Sequence, residues 1–120
     1  MTKKTLVIGA SEKPERYSNK AIRMLRRYGY PVEAIGLKEG QVEGVKIKTG
    51  FPVLEGIHTV TLYLNPKRQE VYYDYLLAMK PERIIFNPGT ENPLFSAMAE
   101  RQGIEVVEQC TLVMLSSGMF

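Results

Sequence analysis

The segment KTLVIGAS, residues 4–11, decides the fold class of this 120-residue chain. Residues 4–8 are short, mostly apolar and β-branched, and they end at Gly9, which is typical of a strand buried on both faces. The polar residues that follow are expected to form a loop. A helix is then predicted from an N-cap at Ser18 to a terminating Gly29. Strand, loop and helix in this order begin a β-α-β unit.

Strands and helices alternate along the rest of the chain. Two Asn-Pro pairs are helix-start signals, because asparagine caps a helix and proline suits its first position. Four of the ten glycines fall between residues 38 and 56, which indicates turns with a short edge hairpin around residues 44–47. Strands are predicted at residues 32–37, 57–64, 83–86 and 104–107, and helices after the pairs 65–66 and 92–93 and at 111–115. Apolar strands need cover on both faces, so we predict an α/β fold: a doubly wound, mostly parallel, five-stranded sheet in three layers, within one domain spanning residues 1–120.

The composition narrows the classes of function. Lys and Arg total 16 and Asp and Glu total 13, giving a net charge of +3, a mild excess that suits a small anionic ligand and argues against nucleic acid. Cys110 is the single cysteine, which excludes an internal disulfide framework. The apolar runs are far shorter than the roughly 18 residues that cross a bilayer, and residues 6–8 are too short a run for a signal peptide. We therefore expect a cytoplasmic protein with no membrane partner.

Ligands of doubly wound sheets bind at the carboxyl ends of the strands, so the loops after residues 8, 37, 64 and 86 are the candidates. The first loop combines small residues, hydroxyls and cations at a helix N-terminus, which suits a phosphate. It is neither a Gly-x-Gly-x-x-Gly fingerprint nor a P-loop. A glycine after the first strand is also explained as a plain turn residue. The candidate binding residues of this loop are Gly9, Ala10, Ser11, Lys13, Arg16, Tyr17 and Ser18.

The other loops add a cation and two asparagines. Lys38 stands where an NAD site carries an acidic residue, which favours a phosphorylated ribose such as that of NADP or coenzyme A, unless it is a solvated turn lysine. The segments Asn65-Pro66 and Asn87-Pro88-Gly89 each follow a strand directly. Their asparagine side chains either bond a ligand or cap the helices. Lys67 and Arg68 place two more cations near the same edge.

Taken together, these residues resemble the small stand-alone CoA-binding proteins with a Rossmann-like fold, whose domain also forms the N-terminal part of the succinyl-CoA synthetase α-subunit. The shared pattern is a strand followed by Gly9-Ala10-Ser11, then Lys13-Pro14 and Tyr17-Ser18. A helix ending in Gly29-Tyr30-Pro31 follows, and later a strand after Gly103 with a nearby cysteine. The resemblance covers nearly the whole chain.

The resemblance implies coenzyme A or an acyl-CoA as the cofactor. It implies that Gly9, Ser11 and Lys13 surround the pyrophosphate, that Lys38 lies near the 3′-phosphate, and that the loops of Asn65 and Asn87 border the cofactor. Two departures affect the adenine contacts. Family members often carry Asn-Pro after the second strand and Trp-Gln after the fourth, where this chain has Leu-Lys and Phe-Asn.

The chain offers few catalytic groups. His58 is the only histidine and precedes the third predicted strand, at the amino end of the sheet, so we expect it to be structural or solvated and expect no metal site. Cys110 is expected to be either a buried small side chain or a partner for the CoA thiol in a mixed disulfide. We therefore predict a non-catalytic binding or regulatory module for a small nucleotide cofactor. The alternatives are an NADP-type domain that acts with a partner, and an interaction protein with a vestigial nucleotide site. The expected protein partner is a second copy or another protein, and Tyr72, Tyr73 and Tyr75 are expected to form either core or a dimer surface.

Overall fold

The computed structural model describes residues 3–120. Strands and helices alternate along the chain as the sequence predicts. The 3-10 turn Glu70–Tyr72 connects the two helices that precede the sixth strand. The strands are β1 (Thr5–Ala10), β2 (Val32–Gly36), β3 (Gly40–Val42), β4 (Val45–Lys48), β5 (Thr59–Leu62), β6 (Arg83–Phe86) and β7 (Glu105–Val107). The helices are α1 (Tyr17–Arg27), α2 (Pro66–Gln69), α3 (Tyr73–Met79), α4 (Pro93–Arg101) and α5 (Thr111–Ser116).

The strands form one sheet in the order β3-β4-β2-β1-β5-β6-β7. All neighbouring pairs are parallel except β3 and β4, which form an antiparallel edge hairpin. The predicted doubly wound, mostly parallel α/β fold is confirmed, with seven strands in place of five. The two additional strands are the β3–β4 hairpin, and the edge hairpin predicted around residues 44–47 is thereby confirmed. The chain fills the sheet outward from β1 on both sides, so the order switches between β1 and β5.

Side chains of the central strands alternate between two apolar layers. On β1, Leu6 and Ile8 pack with α3 and α4 on one face, while Val7 packs with α1 and α5 on the other. All three side chains are fully buried, and a strand with both faces covered is expected to be mostly apolar, as β1 is after Thr5. The sheet is thus the middle of three layers. Among residues 3–120, no helix is long and apolar enough to cross a membrane.

Two of the three expected helix caps are confirmed. Asn65 and Asn92 each accept a hydrogen bond from a backbone N–H three residues on, and a proline follows each of them. The N-cap predicted at Ser18 is wrong, because α1 is capped by Arg16, whose side chain makes no capping bond. Ser18 lies inside the first turn and is buried. Polar groups further along α1 hold the preceding loop instead.

Candidate functional site

A cleft opens where the sheet order switches. The parallel register aligns Ile8 of β1 with Ile35 of β2 and Leu62 of β5, so the loops that follow these strands meet at one edge. The cleft has a volume of about 260 Å³ and is mostly apolar. Its lining residues are Gly9, Gly36, Leu37, Leu64, Arg68, Val71 and Tyr72. The position is the one expected for a ligand site in a doubly wound sheet.

Two glycines let the backbone form the floor of this cleft. Gly9 has φ +92°, in the region that favours glycine, and a Cβ there would lie 3.0 Å from the Tyr63 carbonyl oxygen. A Cβ on Gly36 would overlap the carbonyl oxygen of Ala10. Side chains at either position would fill or distort the floor. The first loop therefore presents its backbone directly to the cleft.

The first loop is held in shape by side chains of α1. Asn19 donates from Nδ2 to the Ser11 carbonyl at 2.9 Å, and its Oδ1 accepts from Arg23 Nε at 2.7 Å. Arg23 also donates from Nη2 to the Pro14 carbonyl at 3.1 Å. Within the loop, the Lys13 amide donates to Ser11 Oγ at 3.1 Å. These bonds fix the loop before any ligand arrives, which lowers the ordering cost of binding.

The far side of the same loop is tied to the β3–β4 hairpin. Glu12 Oε2 accepts from the Gln41 amide at 2.9 Å, and the Glu12 side chain occupies the space beside Gly40. This bond also restrains the turn after β2, which carries Lys38. Leu37, the residue before that lysine, lines the cleft. The first and second loops therefore form one connected wall.

Cations surround the mouth of the cleft. Lys13, Arg16 and Lys38 are exposed, and none of them has an ion-pair partner within residues 3–120. Arg68 is exposed as well and lines the cleft itself. Tyr17 is exposed beside them, with the Lys20 ammonium 5.1 Å from its ring centroid. The edge as a whole is suited to a ligand with several negative charges.

The two predicted asparagines play different roles. Asn65 is exposed, and its Oδ1 accepts from the Arg68 amide at 2.9 Å, so it is a helix cap at the rim. Asn87 is buried and donates from Nδ2 to Thr61 Oγ1 at 2.7 Å and to the Leu62 carbonyl at 2.8 Å. Its Oδ1 accepts from the Thr111 amide at 2.8 Å. The Asn87 side chain is thus used inside the protein, while Pro88 and Gly89 beside it are exposed.

A fully buried glutamine, Gln69, joins the loop after β5 to the loop after β6. No sequence pattern predicts this role. Gln69 donates from Nε2 to the Leu64 carbonyl at 2.9 Å and to the Thr90 carbonyl at 2.8 Å. Its Oε1 accepts from Asn92 Nδ2 at 2.9 Å. All the polar atoms of its amide are therefore paired, as a buried polar network requires. Leu64, a lining residue, is held in place by this network.

Tyr63 and Cys110 lie near the same edge of the sheet, outside the lining of the cleft. The Tyr63 hydroxyl is buried without a hydrogen-bond partner among the described residues, and the nearby hydroxyls of Thr61 and Thr111 bond each other at 2.7 Å. Burial raises the pKa of Tyr63 to about 12. Cys110 is half-buried and precedes α5. Its thiol is therefore close to the carboxyl edge, as its position after the last strand suggests.

His58 lies at the opposite edge of the sheet, as predicted. It precedes β5, and its Nδ1 is 2.7 Å from Thr59 Oγ1. Burial lowers the pKa of His58, and the positive charges of Arg83 and Lys3 lower it further. A neutral histidine at the amino edge is remote from the cleft between β1 and β5. It takes no part in the candidate site.

Comparison with known proteins places this geometry in context. A family model described as a CoA binding domain matches residues 3–116. A crystal structure of an uncharacterized protein is 47% identical, with a TM-score of 0.97, and the match covers 100% of this chain and 99% of the other. A hypothetical protein from Pyrococcus horikoshii OT3 is 27% identical, with a TM-score of 0.87 and coverage of 97% and 83%. The comparison with curated proteins found no match.

A larger enzyme shares the fold. The dinucleotide-forming acetyl-coenzyme A synthetase 1 of Ca. Korarchaeum cryptofilum, in complex with phosphate and ADP, is 16% identical with a TM-score of 0.73. The match covers 89% of this chain and 25% of the synthetase chain. At this identity the likeness concerns the fold alone.

Proposed function

The chain belongs to the CoA-binding domain family, and on that premise we propose that it binds coenzyme A or an acyl-CoA in the cleft at the carboxyl edge and acts as a non-catalytic binding or regulatory module. The observation that carries the proposal is the cleft floor. Gly9 and Gly36 form it with backbone alone, because a Cβ at either position would meet a neighbouring backbone carbonyl, and the loop beside them is already fixed by α1. The residues present therefore fit a nucleotide cofactor that approaches the backbone closely.

Each part of the cofactor has a matching surface. The apolar walls from Leu37, Val71 and Tyr72 suit the flat faces of adenine. Arg68 in the lining, and Lys38 next to the lining residue Leu37, would supply positive charge to a ribose phosphate. The pyrophosphate fits the first loop, next to the N-terminus of the 11-residue helix α1. The loops of Asn65 and Asn87 would then border the rest of the cofactor.

The binding role without catalysis rests on the placement of reactive groups. His58 is at the far edge of the sheet, and the Asn87 amide is engaged in internal bonds. The residues that line the cleft include no histidine, cysteine or carboxylate, and Cys110, near the same edge, is not among them, which supports binding without catalysis. We further propose that the protein is cytoplasmic and that another protein, or a second copy of this chain, binds its CoA-bound form selectively.

An NADP-type site is the second candidate, because the same cations suit a 2′-phosphate. Thermal unfolding with CoA, acetyl-CoA, NADP and NAD in parallel separates the candidates. A ligand present at 100 times its Kd adds about 2.7 kcal/mol to the free energy of unfolding. We expect CoA and acetyl-CoA to raise Tm and NAD to leave it unchanged. A shift with NADP but not with CoA would replace the proposal, and no shift with any ligand would indicate a vestigial site.

A further inference from the structure

A second and larger cavity lies at the amino edge of the sheet. It has a volume of about 610 Å³, more than twice that of the carboxyl-edge cleft. Strand β1 has six residues and is therefore roughly 20 Å long, which separates the two edges. The cavity is lined by Lys3, His58, Glu82, Arg83, Glu100, Gly103, Ile104 and Glu105. The proposed cofactor site uses none of these residues.

Arg83 is the unusual group in this cavity. Only 7% of the residue is exposed, and its Nη2 is buried with no hydrogen-bond partner in the part of the chain that the structure describes. Its Nε donates to Thr59 Oγ1 at 2.9 Å, and the guanidinium carbon lies 4.4 Å from the ring centroid of Phe120. Both ion pairs among residues 3–120 involve Glu33 and not Arg83. Among residues 3–120, no Asp or Glu side chain is within ion-pair distance of Arg83, although Glu105 lies opposite it in the β6–β7 register. An anion bonded directly to the guanidinium would therefore reduce the cost of burying it.

The neighbouring histidine is oriented by the same hydroxyl. Thr59 Oγ1 accepts from Arg83 Nε and lies 2.7 Å from His58 Nδ1. One hydroxyl therefore links both side chains, and Arg83 and His58 both line the cavity. Lys3, whose Nζ donates to the Phe120 carbonyl at 2.7 Å, adds a third positive or donor group.

Three exposed glutamates share the lining and set the charge of the ligand. Glu82, Glu100 and Glu105 would repel a polyanion such as a nucleotide. We propose that the amino edge is a second ligand site, for a small molecule whose single carboxylate or phosphate group pairs with Arg83 and whose remainder is uncharged or positively charged. Such a site, at the other edge of the sheet from the cofactor, is placed to bind an effector or a small substrate of a partner protein.

The test follows the Arg83 side chain by NMR. Acetate, inorganic phosphate and glycine are added in turn at an ionic strength held constant with chloride, and the Arg83 Nε–H resonance and the backbone amides of residues 103–105 are recorded. We expect saturable shifts, and the comparison of acetate with phosphate identifies which anionic group the site takes. Glycine should bind more tightly than acetate, because its ammonium group faces the glutamates. Shifts that do not saturate with any probe would overturn the proposal.

Two substitutions and a control complete the experiment. Arg83→Met keeps apolar contact with Phe120 and removes the unpaired charge, so we expect the variant to fold. Its affinity for the anionic probe should be lower than that of the wild type by about tenfold or more. Arg83→Lys keeps the charge without the planar fork and should bind with intermediate affinity, and it serves if the methionine variant fails to fold. Lys80→Met removes an exposed cation before β6, outside the cavity, and should change nothing. Equal affinity for the probe in the wild type and both Arg83 variants would refute the role of Arg83. CoA affinity is measured in parallel as a control and should be unchanged in every variant.

Discussion

Replacing Asn87 with alanine distinguishes an internal tie from a ligand contact. The substitution removes three hydrogen bonds of 2.7–2.8 Å, to Thr61 Oγ1, the Leu62 carbonyl and the Thr111 amide. Thr111 is fully buried, so its N–H has no water to replace the lost acceptor. Thr61 Oγ1 keeps its bond to Thr111 Oγ1, so the Leu62 carbonyl and the Thr111 amide are the two groups that lose their Asn87 partner. A buried group left unpaired costs about 1–3 kcal/mol, and the expected loss for the two is about 3 kcal/mol.

The loss is measured by urea unfolding followed by circular dichroism, and as a fall in Tm of roughly 12 °C at about 4 °C per kcal/mol for a domain of this size. Asn65→Ala is the matched control, because Asn65 is exposed and caps a helix through one bond, worth about 1 kcal/mol. CoA affinity, measured below the unfolding transition, should fall little in the folded Asn87→Ala protein. Wild-type stability together with lost CoA binding would show that Asn87 contacts the cofactor and that the reasoning is wrong.

Three further predictions concern single residues. Gly9→Ala should lower the free energy of unfolding by about 2 kcal/mol, because Gly9 has a positive φ and the Tyr63 carbonyl is close. It should also weaken CoA binding measured by calorimetry. The control Gly50→Ala, at φ +72° with nothing within 4 Å, should cost only the backbone strain. Lys38→Ala should weaken CoA more than dephospho-CoA; equal losses would remove Lys38 from the 3′-phosphate site. Tyr63 has a pKa of about 12 in the folded state against 10.0 for the ordinary group, so its protonated hydroxyl contributes stability below pH 10 that is lost as the pH rises through 12. In urea unfolding, the free energy of unfolding of the wild type should therefore fall by about 2–3 kcal/mol more than that of Tyr63→Phe over this range. Parallel loss in both proteins would contradict the burial of this hydroxyl.

Much of the fold could be predicted because buried parallel strands are apolar along their whole length. Residues 6–8 and 84–86 show this pattern clearly, and the Asn-Pro pairs at 65–66 and 92–93 mark two helix starts through backbone chemistry that needs no tertiary contact. The hairpin strands, of three and four residues, are too short for a periodic signal. The start of α1 was misplaced at Ser18 because a capping residue type was present, but tertiary packing buries it within the first turn.

The site was predicted at the level of loops and only partly at the level of side chains. Gly9 is recognisable because a glycine directly after a buried strand has a backbone reason to be there. Asn65 and Asn87 occupy the same sequence pattern, yet one is exposed and the other is buried, and only tertiary structure separates them. Asn19, which orders the first loop, and Gln69, which joins the third and fourth, lie in helices where a polar residue usually faces water. Gly36 was missed because its importance depends on the Ala10 carbonyl of a neighbouring strand.

The most direct test of CoA binding at the carboxyl edge is a map of backbone amide shifts during titration with CoA. We expect the largest shifts in the loops that follow β1, β2 and β5, around Gly9, Leu37 and Leu64, with the amino-edge residues His58 and Arg83 unchanged. A spectrum that CoA leaves unaltered, or shifts concentrated at the amino edge, would contradict the account.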